Sequence, residues 1–491
     1  MIRPILIDGK FVAAKSNSAI AVHNPATMAP LDSIAACGAA DIDAAVKAAR
    51  AAQPAWWRTP GLAKAEKLHD VASRIRARQK PIAAMMTQET GKPLIESADC
   101  VQWVAEAFDY FAEVARSSLG VTVPPGADHQ VNFVRKEPYG VVACIAPFNF
   151  PLLLMAWKVA PAIAAGNAVV CKPPHQNPLA NLLLGECYDA LPPGVVNIVT
   201  GAGETGKLLT DHSGIDMIAF TGSTSVGRQI AAAAGAQLKK VNLELGGIDP
   251  LIVFADADLE IAARGAAWAR LLNAGQVCTS SKRIYVVEPI ADEFTRRIVD
   301  HVKTLKVGDP MDPKTDMGPL ISEDAVGKLE KQVATALAEG AQLLLGGQRF
   351  QPNGLKGHFF QPTVLAKVRH GGIATTEELF GPVVSIFRAK DADEAIRLAN
   401  DSEYGLGATI YTKSLELAMR AMENIKAGSF WINDPLADNN AAPFGGMRHS
   451  GIGRELGAEG LDAFREPKHV HLDYVQERKR DWFPYAERKL P

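Results

Sequence analysis

Cysteine is scarce: there are six in 491 residues, and none of Cys37, Cys100, Cys144, Cys171, Cys187 and Cys278 falls at a CxxC or other paired spacing. That argues against a disulfide framework or a cysteine-built zinc site and fits reduced thiols. Among the 11 histidines, His469 and His471 stand two apart without a third partner, and no cluster has metal-ligand spacing, so no metal is expected. No apolar run reaches the ~18 residues that span a bilayer. The most apolar stretch, 159–171, is broken by Pro161, Gly166 and Asn167. Basic excess is absent too, with 52 Lys and Arg against 54 Asp and Glu and a net charge of −2. A nucleic-acid partner needs cations that displace phosphate counterions, so it is disfavoured. The short run Arg478, Lys479, Arg480 is flanked by Glu477 and Asp481 and reads as a solvated face. The opening residues lack the apolar core and cleavage site of a secretory signal. The expectation is a cytoplasmic protein with neither a membrane nor a nucleic acid as partner.

A chain of this length exceeds one hydrophobic core and suggests about three domains. Its 47% hydrophobic and 22% charged residues supply enough apolar surface to exclude disorder as the main state. Short apolar runs alternate with longer helical patterns, which predicts an α/β fold with parallel sheets. Residues 41–53 read as a helix ended by Pro54, and 61–80 and 96–116 as amphipathic helices. Residues 140–146 (GVVACIA), 168–171, 195–199 and 217–220 read as buried strands, and 152–165 as a helix kinked by proline. The last two strands are each followed by glycine and a helical stretch. This is the rhythm of a Rossmann-like, doubly wound sheet. The pattern restarts after Gly247 with 250–254, a helix near 258–274 and a strand at 283–287, predicting a second α/β domain. The tail beyond 465 is charged and has no repeating apolar face. No internal repeat or low-complexity tract is present.

Several motifs carry candidate chemistry. Gly201-Ala-Gly203-Glu-Thr-Gly206 matches GxGxxG between strand and helix, but no carboxylate ends the following strand as a ribose partner, so alone it is weak. Phe220-Thr-Gly222-Ser223-Thr-Ser225-Val-Gly227 offers helix N-terminal amides and hydroxyls to a pyrophosphate, although a plain helix cap fits the spacing equally well. No Gly-Lys-Ser/Thr element accompanies either, which argues against nucleotide hydrolysis. Cys278 sits in Gly275-Gln276-Val277-Cys278-Thr279-Ser280, among small and polar residues, whereas the other cysteines lack such a setting. It is the candidate nucleophile, against the common alternative of inert packing. Glu244 lies between leucines before a glycine pair; burial there would raise its pKa and make it a usable base, while an edge strand would leave it solvated. Asn149, between prolines and aromatics in PFNFP, could donate to an oxyanion or close a turn.

Taken in order, PFNFP, KPP at Lys172, FTGSTSVG, LELGG, GQVC, EELFGP and PFGG at Pro443 resemble the aldehyde dehydrogenase superfamily across most of the chain. The resemblance implies an NAD(P)-dependent, non-acylating dehydrogenase with Cys278 as catalytic thiol, Glu244 as general base and Asn149 as oxyanion donor beside the Cys278 amide. It implies coenzyme contacts at Lys172, Gly222, Ser223, Glu378, Phe380 and Phe148, with Gly203 flanking the adenine pocket. Phe150, Leu154, Trp157, Leu272, Val277 and Thr279 would line a substrate tunnel suited to an uncharged or apolar small-molecule aldehyde. Glu244 separates the chain from relatives that pass the acyl group to coenzyme A. Where the family usually has glutamate after KPx this chain has His175, which leaves NADP open beside NAD. After LELGG the usual lysine is replaced by Ile248, followed by Asp249. The implied architecture is a dinucleotide-binding domain (1–116 and 139–247), a catalytic domain (248–445), and a small β oligomerisation element with the tail (117–138 and 465–491), assembling as a homodimer or homotetramer.

Overall fold

The computed structural model describes residues 2–117, 120–479 and 481–485. Arg480 and the positions 118, 119 and 486–491 of the expected oligomerisation element and tail lie outside the described residues.

An eight-stranded sheet carries the first half of the chain. Five of its strands are parallel and run across the sheet as Lys240–Glu244, Met217–Thr221, Val141–Ile145, Ala168–Lys172 and Val196–Ile198. Every residue of Val141–Ile145, Ala168–Lys172 and Met217–Thr221 is buried, as continuous apolar runs covered on both faces require. In chain order the first three of these strands step one way from Val141–Ile145, and the next two step the other way. The reversal falls between Val141–Ile145 and Met217–Thr221. Loops leaving the carboxyl ends of two such strands part there and open a crevice. They are the loops of Phe148 and Asn149 and of Gly222 and Ser223.

A second sheet has six parallel strands, Thr363–Ala366, Val383–Ala389, Ser281–Val287, Asp249–Val253, Gly407–Tyr411 and Ser429–Ile432, with Gln342–Leu345 antiparallel at one edge. The chain then returns to the first sheet. Gly451–Ile452 pairs antiparallel with Leu243 and Glu244, closing the edge beside the carboxylate.

One expectation needs correction. The helix expected to stop at Pro54 runs on, Ala39–Arg58. Proline removes one backbone donor from the turn, but the next turn buries Trp56, whose Nε1 donates to Ile163 O at 2.9 Å. That packing outweighs one lost hydrogen bond. The tail, although without an apolar face, pairs with the 117–138 segment as the family resemblance implied: Arg465–Asp473 pairs over nine residues with Gln130–Pro138, and Val121–Val123 adds a third strand. Backbone ladder bonds, not side-chain burial, hold it, since most of its side chains are exposed.

Trp56→Ala should therefore destabilise the fold by about 3–5 kcal/mol, measured by urea unfolding; a loss under about 1 kcal/mol would show that the turn after Pro54 needs no such anchor.

Candidate active site

A cleft of about 880 Å³ opens at the switch point of the first sheet. The helix Thr224–Ala236 starts at its wall, capped by Ser223, whose Oγ accepts from Val226 N at 3.4 Å. The cap and the anion-binding geometry therefore coexist, because the remaining free amides of the first turn face the same region. Phe148, Asn149, Lys172, His175, Gly203, Gly222, Ser223, Cys278, Glu378 and Phe380 all line this cleft. Phe148 and Phe380 meet edge to face, with centroids 5.8 Å apart, joining the loops of the two sheets.

Lys172 ends its strand with Nζ donating to Pro173 O (3.1 Å) and Gly201 O (3.0 Å), and burial lowers its pKa to about 8. A Cβ on Gly206 would lie 3.3 Å from Lys172 Cε, so the GxGxxG segment packs on this lysine at the cleft edge. His175 is half-buried; burial, followed by the charge of Lys172, holds its pKa below the usual histidine value. At Gly246 a Cβ would stand 2.8 Å from Glu378 Oε2 and 3.3 Å from Thr224 Oγ1. The cleft floor there has room for a ligand only because the side chain is missing. Length, helix terminus and small-residue floor together fit a dinucleotide.

Cys278 is the single cysteine with partial exposure, the other five being buried. It follows a tight loop in which Asn273 (φ 50°, ψ 40°) and Ala274 (φ 54°, ψ 34°) are left-handed, a conformation that costs non-glycine residues of the order of 1–2 kcal/mol each. Hydrogen bonds hold it. Asn273 N donates to Glu96 Oε2 (3.1 Å), and Asn273 Nδ2 to Asn149 O (3.0 Å) and Gln276 O (3.3 Å). Gln276 closes the loop through Asn273 O and through Ile321 N. The backbone of Asn149 is thus tied to the loop that presents the thiol. Gly275, at φ +74°, comes so close to the Glu378 loop that a Cβ would be 2.2 Å from Gly381 O.

Burial raises the Cys278 thiol to about 12; Asp249, Glu378 and Glu244 push it the same way, and Lys282 opposes them. Glu244 ends its strand 2% exposed, and neither carboxylate oxygen has a hydrogen-bond partner among the described residues. Burial, then the charge of Glu455, holds its pKa well above the usual carboxylate range, while Lys158 and Arg454 pull it down. It does not line the cleft, and its charge helps to raise the pKa of the Cys278 thiol.

Sequence reasoning missed several residues. Lys158 Nζ, fully buried, donates to Glu455 Oε1 (2.5 Å), Thr221 Oγ1 (2.5 Å) and Leu154 O (3.1 Å). A lone lysine in a helix whose every position is buried was a visible signal; its partner Glu455, 297 positions away, had none. Arg270, also fully buried, spends all five N–H donors: on Gly275 O and Ser280 Oγ of the thiol loop, and on Leu379 O, Gly381 O and Val383 O beyond Glu378. Of the residues expected along the tunnel, Phe150 and Leu272 line a second cavity of about 570 Å³ with Trp103, Trp268, Glu96 and Asp99. Leu154, Trp157, Val277 and Thr279 are instead packed in the interior, Trp157 against Phe444 at 5.0 Å.

The aldehyde dehydrogenase family model matches residues 11–470.

The chain belongs to the aldehyde dehydrogenase family.

Human retinal dehydrogenase 2 is 41% identical over 480 residues, which cover 96% of this chain and 92% of that protein. Among solved structures, a putative aldehyde dehydrogenase from Burkholderia cenocepacia superposes with a TM-score of 0.96 at 39% identity, covering 98% of this chain and 99% of that one. Betaine aldehyde dehydrogenase from Staphylococcus aureus, in complex with NAD+, gives 0.95 at 35% identity, covering 98% and 97%. The activity of this aldehyde dehydrogenase is NAD(P)-dependent oxidation of an aldehyde. No helix among the described residues is long and apolar enough to cross a membrane.

With the thiol held near 12, thiolate is the minor form at neutral pH and grows as pH rises. Alkylation of Cys278 by iodoacetamide without coenzyme should accelerate by about tenfold per pH unit from 7 to 10, followed by peptide mass spectrometry. A rate that is flat across that range would mean the sulfur is already ionised.

Proposed function

We propose that Cys278 is the nucleophile, Asn149 with the Cys278 amide the oxyanion hole, and Glu244 the general base of a non-acylating oxidation to the free acid. The observation that carries this reading is that the one accessible cysteine opens into the dinucleotide-sized cleft alongside Asn149. Once the Cys278 thiol has given its proton to solvent, the minor thiolate form attacks the aldehyde carbon and the carbonyl oxygen becomes anionic. Asn149 and the Cys278 N–H donate to that oxygen; such a donor is worth ~3 kcal/mol. Lys172, Ser223 and Glu378, which line the cleft, would hold NAD(P), which when bound would accept the hydride. Loss of hydride leaves a thioester on Cys278. Glu244 takes a proton from water, the water oxygen attacks the thioester, and the carbon–sulfur bond breaks to release the acid. An elevated Glu244 pKa suits this step, since a base whose pKa is closer to neutral holds the proton better than an ordinary carboxylate.

His175 presents no negative charge to the adenosine ribose, so NADP is accepted beside NAD. Phe150, Trp103, Trp268 and Leu272 on the second cavity favour an apolar or uncharged aldehyde. The chain acts as a cytoplasmic homodimer or homotetramer; exposed Val121, Val123, Val131 and Phe133 on the three-stranded sheet are the support for assembly.

Cys278→Ala should abolish turnover with coenzyme affinity unchanged by calorimetry, and Glu244→Gln should give one burst of reduced coenzyme and then stall with acyl-enzyme visible by intact mass. Steady turnover by either variant, or an acyl-coenzyme A product, rejects the assignment. The ratio of kcat/KM for NADP over NAD should stay flat near neutral pH and rise only as pH falls below the usual histidine value, since burial and Lys172 hold the His175 pKa under it, and His175→Glu should lower the ratio by about tenfold or more; an unchanged ratio in that variant would exclude His175 from coenzyme choice.

A further inference from the structure

Lys282 is the second residue of the strand Ser281–Val287, four residues after the thiol, and is 2% exposed. Its Nζ donates to Cys278 O at 2.6 Å and Val277 O at 2.8 Å and pairs with Glu378 Oε1 at 3.1 Å. An ammonium has three protons and no acceptor; two of these protons go to the carbonyls of Val277 and Cys278, and the Glu378 carboxylate balances the charge at ion-pair distance without hydrogen-bond geometry. The ring of Phe380 stands 5.8 Å away. Burying a lysine is costly unless its donors are met, so this set of contacts fixes both the side chain and the groups it touches.

We propose that Lys282 is a positioning residue for the oxidation, holding the peptides on either side of Cys278 in the orientation catalysis needs and linking them through Glu378 to the coenzyme side of the cleft. The proposal rests on Cys278 being the nucleophile. In a trans peptide the C=O and the next N–H point in opposite directions. With Val277 C=O anchored on the Lys282 ammonium, the Cys278 N–H is turned away from it, towards the side from which an oxyanion can be met. The Cys278 carbonyl, held by the same nitrogen, limits rotation on the other side of the thiol. Lys282 also brings the positive charge that favours the thiolate. It is set against Glu244, Asp249 and Glu378, all of which disfavour the thiolate. Asp249, buried with Oδ2 unpartnered, is itself pushed up to about 7 by burial, with Lys282 opposing the rise. Glu378 touches both this ammonium and the coenzyme cleft, so a ligand on Glu378 acts on the thiol loop through one shared cation.

The test compares Lys282→Met and Lys282→Arg with the unsubstituted full-length enzyme, with rates normalised to the amplitude of the coenzyme burst. Methionine keeps the length and packing of the side chain but has neither charge nor donor. It should lower kcat by about 10- to 100-fold, with a smaller change in aldehyde KM. It should also move the pH profile of Cys278 alkylation by iodoacetamide to higher pH and blunt the effect of added NAD on that profile. Arginine should recover most of both. A purely structural lysine would lower thermal stability and the burst amplitude yet leave the normalised rate and the alkylation profile in place, and that outcome overturns the proposal. If the methionine variant fails to fold, Lys282→Gln, with one donor and no charge, is read in the same way. Turnover by Cys278→Ala would instead remove the nucleophile, and it shows without any Lys282 variant.

Discussion

Two buried cations hold the thiol loop against the loop of Glu378. Arg270 reaches both loops with its five donors, and Lys282 bridges Val277, Cys278 and the Glu378 carboxylate. The loops come from strands that are neighbours in the second sheet, yet neither has regular secondary structure of its own to keep it in place. A left-handed turn at Asn273 and Ala274 and the near contact of Gly275 with Gly381 would relax without such anchors. The strain is therefore sustained by charge-assisted hydrogen bonds in an interior where these are strong and where an unmade one is expensive.

The same interior sets the acid–base character of the site. Glu244 and Glu455 share a region with Lys158, which lies between Glu455 and Thr221. One ammonium cannot fully compensate two carboxylates in low dielectric, so the protons are held to higher pH than on the surface. Lys158 is committed to Glu455, leaving the Glu244 carboxylate without a hydrogen-bond partner among the described residues. The thiol follows the same rule: burial and three carboxylates raise it, and one lysine opposes them. Reactivity here depends on the balance of a few charges that packing has brought together from distant parts of the chain.

Much of the fold was legible because its signals are local. Continuous apolar runs such as 141–145 specify strands covered on both faces, and glycine followed by a helical pattern marks the crossovers. Pro54 misled because a local rule met a tertiary anchor in Trp56. The strand 465–473 was illegible from hydrophobic pattern because its stability resides in backbone pairing with 130–138, which leaves no periodic trace. At the site, Cys278, Asn149 and the glycine-bordered Glu244 could be picked out from their neighbours in sequence. Leu154, Trp157, Val277 and Thr279 could not be placed, since which way a helix or loop turns its side chains is settled by what packs on it.

The amino-acid sequence by itself determined the family, the α/β class and the candidate nucleophile, because each of these rests on residues close together along the chain or on motifs in a set order. The tertiary structure decided which carboxylate is left unpartnered, that Lys158 binds Glu455, and that Arg270 and Lys282 tie two loops across the cleft. Those facts depend on contacts between residues up to 297 positions apart, and the free energy of a buried charge is defined only once the groups that surround it are in place.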